Sequence, residues 1–145
     1  MKTNCFICIL LFLLTQIANF LYQALWSVST KLDEELSKYA MREQTWAELQ
    51  EEAPLAVNAC VHYFKDRYAN WRVKMLEIDA ILLYLQTKDI ELIIATFGIP
   101  NRQDWYYELF VEGNLLRHER EFHTYELAAM TAILLAFSIL ESQLQ

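Results

Sequence analysis

Residues 3–30 read TNCFICILLFLLTQIANFLYQALWSVST, without one charged side chain. At ~1.5 Å rise per residue, a helix of that length exceeds the ~30 Å hydrocarbon core of a bilayer. The stretch therefore reads as a membrane-spanning helix, and the rest of the chain is interpreted outward from it. Residues 5–14 are wholly apolar, whereas Thr15, Asn19, Gln23 and Ser27 recur at every fourth position, with Gln16 beside them. In lipid, side-chain amides and hydroxyls seek hydrogen-bond partners on a neighbouring helix, so Thr15, Asn19, Gln23 and Ser27 are expected interaction residues. Tyr22 and Trp26 suit the aromatic belt at the membrane interface.

Two other readings of this stretch stay open. It has the layout of a cleavable signal peptide, with Lys2 as a thin basic start and Ser27-Val28-Ser29 as the small-residue cleavage site, or it is the buried helix of a soluble bundle. Its length, its polar stripe and its continuation into a helical pattern favour a retained anchor. Cys5-Phe6-Ile7-Cys8 has redox or metal-ligand spacing, but thiolates are poorly solvated in an apolar run, so packing is expected there. No lipobox precedes Cys8, and Cys5, Cys8 and Cys60 make no disulfide framework for a chain of this size.

The whole chain has 145 residues, 55% of them hydrophobic, with only two Gly and two Pro, which leaves room for one domain with a real core. That composition disfavours disorder, collagen-like repeats and turn-dense sandwiches. A formal charge of −7 argues against nucleic acid as a partner, because phosphate binding needs a cationic face.

Beyond the anchor, Leu25, Val28, Leu32, Leu36, Tyr39, Trp46 and Leu49 keep helical spacing up to about Glu52, where Ala53-Pro54 stops the helix. Val57, Val61, Phe64, Tyr68, Trp71, Met75, Ile78, Leu82 and Leu85 then alternate four and three, a heptad seam fitting either a coiled coil or a long core helix. Phe64, Tyr68, Trp71 and Met75 are its expected interaction residues. The short Pro54 turn predicts an antiparallel hairpin, with Glu43 near Lys65 and Glu34 and Glu35 near Arg72 and Lys74. Basic and aromatic residues interleave from His62 to Lys74, a pattern read as charged shoulders of the seam, with an acidic protein or anionic headgroups as the less favoured targets.

Thr87 or Asp89 is expected to cap a short helix through Phe97, stopped by Gly98 and Pro100. Asn101 or Asp104 then starts a further turn or two over Trp105-Tyr106-Tyr107, although the β-forming residues and the Glu112-Gly113-Asn114 turn also fit a short hairpin within 104–122. The order of helix, Gly98, Pro100 and Trp105-Tyr106-Tyr107 resembles small outer-membrane assembly lipoproteins of the SmpA/OmlA type. The resemblance covers roughly twenty residues, lacks the lipidated cysteine and carries no functional residue across. From about Leu115 helix formers dominate, and the uncharged run 127–140 reads as a buried core helix or a second membrane segment.

Lys2 stands alone before the first span, while Lys31, Lys38 and Arg42 come after it and Arg117 and Arg120 precede the second, so the positive-inside rule puts the middle of the chain in the cytoplasm. Glu119, His123 and Glu126 stand at i, i+4 and i+7, and His62 and Asp66 at i and i+4. A di-iron bundle would need Glu-x-x-His motifs that are absent, so these read as solvated faces. There is no G-x-S-x-G, and two isolated glycines cannot build a phosphate loop.

The expected protein is all-α. A transmembrane helix over 1–30 continues into an antiparallel helical hairpin or bundle over 31–126, with a possible short β-hairpin near 104–122 and an apolar C-terminal helix over 127–145. It is expected to be a non-catalytic, membrane-anchored accessory or assembly subunit, without metal or cofactor. Its partners are the lipid bilayer and the proteins of a membrane complex. The alternative is an exported or soluble acidic binding module, of a neutralising or immunity type, with 1–29 as its signal peptide.

Overall fold

Pro54 has no amide hydrogen to give to a preceding helical turn, and the first helix ends just before it. In the computed structural model, which describes residues 2–100 and 102–145 and the side chains of 9–100 and 102–145, α1 runs over Lys2–Glu52. The Cys5 and Cys8 thiols lie outside the described side chains, and the Asn101 helix start falls on a residue outside the description. Five further elements are legible as α2 (Pro54–Arg67), α3 (Trp71–Lys74), α4 (Ile78–Gln86), β1 (Ile90–Ile99) and β2 (Arg102–Val111). The chain closes with β3 (Asn114–Phe122) and α5 (Tyr125–Leu144). It divides into two compact units, Met1–Lys38 and Tyr39–Gln145.

The all-α expectation is wrong: a three-stranded antiparallel sheet, in the order β1-β2-β3, stands where helices were expected. The supposed helix through Phe97 is strand β1. Its Ile-rich sequence loses less as an extended chain, because β-branched side chains are crowded on a helix and accommodated on a pleated sheet. Ile90 and Leu92 point into the core while Glu91 and Ile93 face out, the two-residue period of a strand. The hairpin held as an alternative is present and longer than 104–122. Val111 pairs with Asn114, and Glu112 and Gly113 both have positive φ, 51° and 77°, as a two-residue type I′ turn requires. Arg117 to Glu121, expected to be helical, lie in β3, held by pairing with β2 at Leu109 and Tyr107. Gly98, at φ +109°, is the last but one residue of β1, opposite Gln103 in the other hairpin, and a Cβ there would collide with the Arg102 carbonyl oxygen.

The seam from Val57 to Leu85 is likewise not one coiled-coil helix. Tyr68 is extended, at φ −133° and ψ 125°, and Glu77 is extended again, so the stretch forms three helices, α2, α3 and α4. The apolar spacing reported which residues are buried and not that the backbone is continuous. Val57, Phe64, Met75, Ile78 and Leu85 are indeed buried.

The core lies in the Tyr39–Gln145 unit. α5 packs against α2, β1 and β2, and Ala128, Ala129, Ala132 and Ala136 along it are fully buried, small side chains that let the neighbouring elements approach closely. Tyr84 sits among Tyr63, Phe64 and Phe137, with ring centroids 5.0, 6.3 and 6.2 Å away. α5 starts at Tyr125, two residues ahead of the expected 127–145 helix, where the Thr124 hydroxyl accepts the Leu127 amide at 3.2 Å.

Candidate membrane anchor and interaction surfaces

Among the described residues two helices are long and apolar enough to cross a membrane, Ile9–Glu52 within α1 and α5, Tyr125–Leu144. They differ in what covers them. Half of the most apolar part of α5 is buried in its own unit. Every residue from 9 to 30 is exposed, including Phe20 at 73% and Leu25 at 70%. An uncovered apolar surface of this extent is the strongest feature of the molecule, because water penalises it by roughly 25 cal/mol per Å2.

The polar residues on this helix are not scattered. At ~100° per residue, Thr15, Gln16, Asn19, Gln23, Ser27 and Thr30 fall within one arc of about 120°, with Ser29 just outside it. Leu10, Leu14, Ile17, Leu21, Leu25 and Val28 occupy the opposite side. Two hydroxyls in the stripe are satisfied within the helix: Thr15 donates to the Leu11 carbonyl at 2.8 Å, and Thr30 to those of Trp26 and Ser27 at 3.1 and 3.0 Å. The carboxamides of Gln16, Asn19 and Gln23 have no hydrogen-bond partner among the described residues. Tyr22 and Trp26 stack at 6.5 Å one turn apart. Past the apolar stretch, Lys38 reaches back to Glu34 at 2.9 Å and Glu35 at 3.1 Å. These contacts raise the lysine above its ordinary range and lower the Glu34 carboxyl.

Within the Tyr39–Gln145 unit the expected pair of Glu43 with Lys65 is not formed among the described residues, and the other charges named with it have local partners. Glu34 and Glu35 are engaged by Lys38, Lys74 pairs with Glu77 at 2.7 Å, and Lys65 lies 4.9 Å over the Trp71 ring. Of the second group of expected interaction residues, Phe64 and Met75 are buried in the core, while Tyr68 and Trp71 are half-exposed. Around those two rings the cations collect, with Arg72 5.2 Å from Trp71 and Lys74 6.0 Å from Tyr68. Arg67 lies 3.9 Å over Tyr63. Glu119, His123 and Glu126 do not converge: Glu119 accepts from Tyr107 Oη at 2.6 Å, His123 is 87% exposed, and Glu126 is taken up by an arginine.

That last pair was not foreseen. Arg42 Nη2 and Nε donate to the two Glu126 carboxylate oxygens at 2.6 and 3.1 Å, and Nη1 donates to the Leu76 carbonyl at 3.1 Å. One guanidinium thus ties α1, the turn between α3 and α4 and the start of α5 together. Beside it, Trp46 Nε1 donates to the Met75 carbonyl at 2.7 Å, and its ring meets Phe137 edge-on at 5.5 Å. At the far end of α5, Glu141 accepts the Ala56 amide at 2.8 Å. α2 has no side-chain cap of its own, so a buried carboxylate 85 residues away satisfies its N-terminus. The sequence signal was the position of these two acids, which bracket the uncharged run 127–140 on either side.

Two phenols complete the polar interior. Burial, followed by the Glu119 carboxylate, pushes the Tyr107 phenol up to about 12. Burial also raises Tyr84, whose hydroxyl has no partner among the described residues, and the neighbouring Cys60 thiol, which is inert as a nucleophile in that state.

No protein-family model matches the chain, and no curated protein matches it.

Proposed function

We propose that this chain is a membrane-anchored, non-catalytic accessory or assembly subunit, held in the bilayer by α1 and acting through protein–protein contacts. The observation that carries the reading is the set of three carboxamides, Gln16, Asn19 and Gln23, without a hydrogen-bond partner among the described residues and aligned on a helix that is exposed and otherwise mostly apolar. In hydrocarbon an amide without a partner costs roughly 2–7 kcal/mol, depending on the reference state. The apolar arc favours insertion, and the polar arc then requires a second helix to supply donors and acceptors. Tyr22 and Trp26 near the end of the apolar stretch suit the headgroup level, and Lys31, Lys38 and Arg42 beyond it favour a cytoplasmic location for the Tyr39–Gln145 unit.

The α5 helix is assigned to the folded unit instead of the bilayer. Glu126 and Glu141 near its two ends are engaged with Arg42 and the Ala56 amide, and its middle packs on the sheet. This leaves a one-span topology.

Carbonate extraction of membranes, followed by protease protection of a C-terminal tag, tests the reading. The protein should stay with the membrane and its tag should be digested only when the cytoplasmic side is open. Release into the carbonate supernatant would refute the anchor.

One observation favours an exported binding module as the second reading. The core of the Tyr39–Gln145 unit is built from Met41 onward, so cleavage after Ser29 would leave it whole. A mature chain beginning at Thr30 would establish that reading in place of the first.

A further inference from the structure

The polar stripe of α1 also constrains what its partner is. We infer that the helix covering Gln16, Asn19 and Gln23 is α1 of a second copy of this chain, in a parallel two-fold pair. The inference rests on the membrane anchoring proposed above.

Three features of the stripe lead there. A carboxamide carries both donor and acceptor, so two identical carboxamides facing each other across a two-fold axis satisfy one another reciprocally. Gln16, Asn19 and Gln23 keep a three-then-four spacing, the seam of a left-handed helix pair, and a polar residue on such a seam fixes register and the number of strands. The amides also need partners at their own depth in the bilayer. A second copy inserts with the same sidedness and brings the same three groups to the same three levels without further adjustment. A different helix would have to reproduce those depths independently.

The flanking residues fit. Thr15 and Thr30 already bond within their own helix and make no demand on the partner. On the water side, Glu34 and Glu35 are paired with Lys38 within the helix, which reduces repulsion between two copies lying side by side. The seam closes at Thr30, because Asp33, the next position on that face, would meet its own counterpart.

The test uses the full-length chain in lipid nanodiscs and in mild detergent, with mass measured by native mass spectrometry. The wild type should be a dimer. Asn19→Leu with Gln23→Leu should weaken dimerisation by at least about tenfold while leaving the protein firmly in the membrane, since leucine favours insertion as it removes the polar contact. Leu21→Ala, on the opposite arc, should leave the dimer intact. As a second readout, with Cys5, Cys8 and Cys60 replaced by serine, Asn19→Cys should form a disulfide-linked dimer in membranes and Leu21→Cys should not. Far-ultraviolet circular dichroism confirms that each variant is folded. A wild-type protein that is membrane-bound but monomeric, or bound to a different polypeptide through this stripe, overturns the pairing and leaves the anchor standing. A protein released by carbonate overturns both.

Discussion

Replacing Glu126 by glutamine keeps the shape of the side chain and removes its charge, leaving the Arg42 guanidinium without its carboxylate. Its geometry is bidentate, at 2.6 and 3.1 Å, and it is the shortest and least exposed ion pair among the described residues of the Tyr39–Gln145 unit. The Glu126 side chain is 9% exposed and that of Arg42 24%, which sets the size of the effect. Breaking a fully buried pair costs about 3–5 kcal/mol, whereas an exposed pair contributes about 0.2–1 kcal/mol. A guanidinium one-quarter exposed recovers part of its hydration, so Glu126→Gln should cost about 2 kcal/mol. For a unit the size of Tyr39–Gln145, with an unfolding entropy near 2.1 cal/mol/K per residue, that is a fall of about 9 °C in Tm. Trp46, bonded to Met75 beside the pair, reports the melt by fluorescence. The double variant Arg42→Met/Glu126→Leu should be less destabilised than the sum of its two single variants by about 1–2 kcal/mol, because the two side chains bond each other directly and their energies are coupled. A Glu126→Gln melt within about 2 °C of the wild type, or strict additivity in the cycle, would refute the brace.

Glu141→Ala should destabilise the same unit by about 1–2 kcal/mol in a thermal melt through loss of the α2 cap, whereas Glu52→Ala, at an exposed site, should leave it nearly unchanged. Tyr84→Phe and Tyr107→Phe should differ although both rings are buried. The first removes a hydroxyl with no partner and should be neutral or slightly stabilising, and the second loses the Glu119 bond and should cost about 1 kcal/mol. Stability should also fall in alkali. The neutral phenol is the form the fold favours at Tyr107, so its contribution is full below the ordinary tyrosine range near 10 and is lost as the pH rises toward about 12. Melts at pH 8 and pH 11.5 should show the decline, and Tyr107→Phe should reduce it.

The helix from the amino end to Glu52, the Pro54 stop, the buried members of the seam and the turn at Glu112-Gly113 were all legible in the sequence, each from a local rule. The sheet was not, because the stop signals Gly98 and Pro100 at the end of β1 suit a helix terminus as well, and the strand preference lies in Ile90, Ile93 and Ile94 ahead of them. Arg117 to Glu121 look unlike a strand in isolation. They become one only through their pairing with Leu109 and Tyr107, a non-local contact that propensity cannot report. The seam misled in the opposite direction: its four-and-three spacing persisted through the breaks at Tyr68 and Glu77, since packing around α5 needs the same burial whether or not the backbone is continuous. Of the candidate interaction residues, Thr15, Asn19, Gln23 and Ser27 fall on one exposed arc as their spacing implied. Phe64 and Met75 turn inward, because a hydrophobic pattern does not distinguish a core from a partner. The long-range contacts of Arg42 and Glu141 depend on the tertiary fold and left only the acids flanking 127–140 as a trace.

The most direct test of the anchor is a nitroxide scan of residues 9–32 in the full-length protein reconstituted in bilayers, reading collision rates with oxygen against those with a water-soluble nickel chelate. Residues 9–26 should be accessible to oxygen and shielded from nickel, with a helical modulation that lowers both at Asn19 and Gln23 relative to Leu14, Leu21 and Leu25. Nickel access throughout the scan would contradict the claim that this helix is dissolved in lipid.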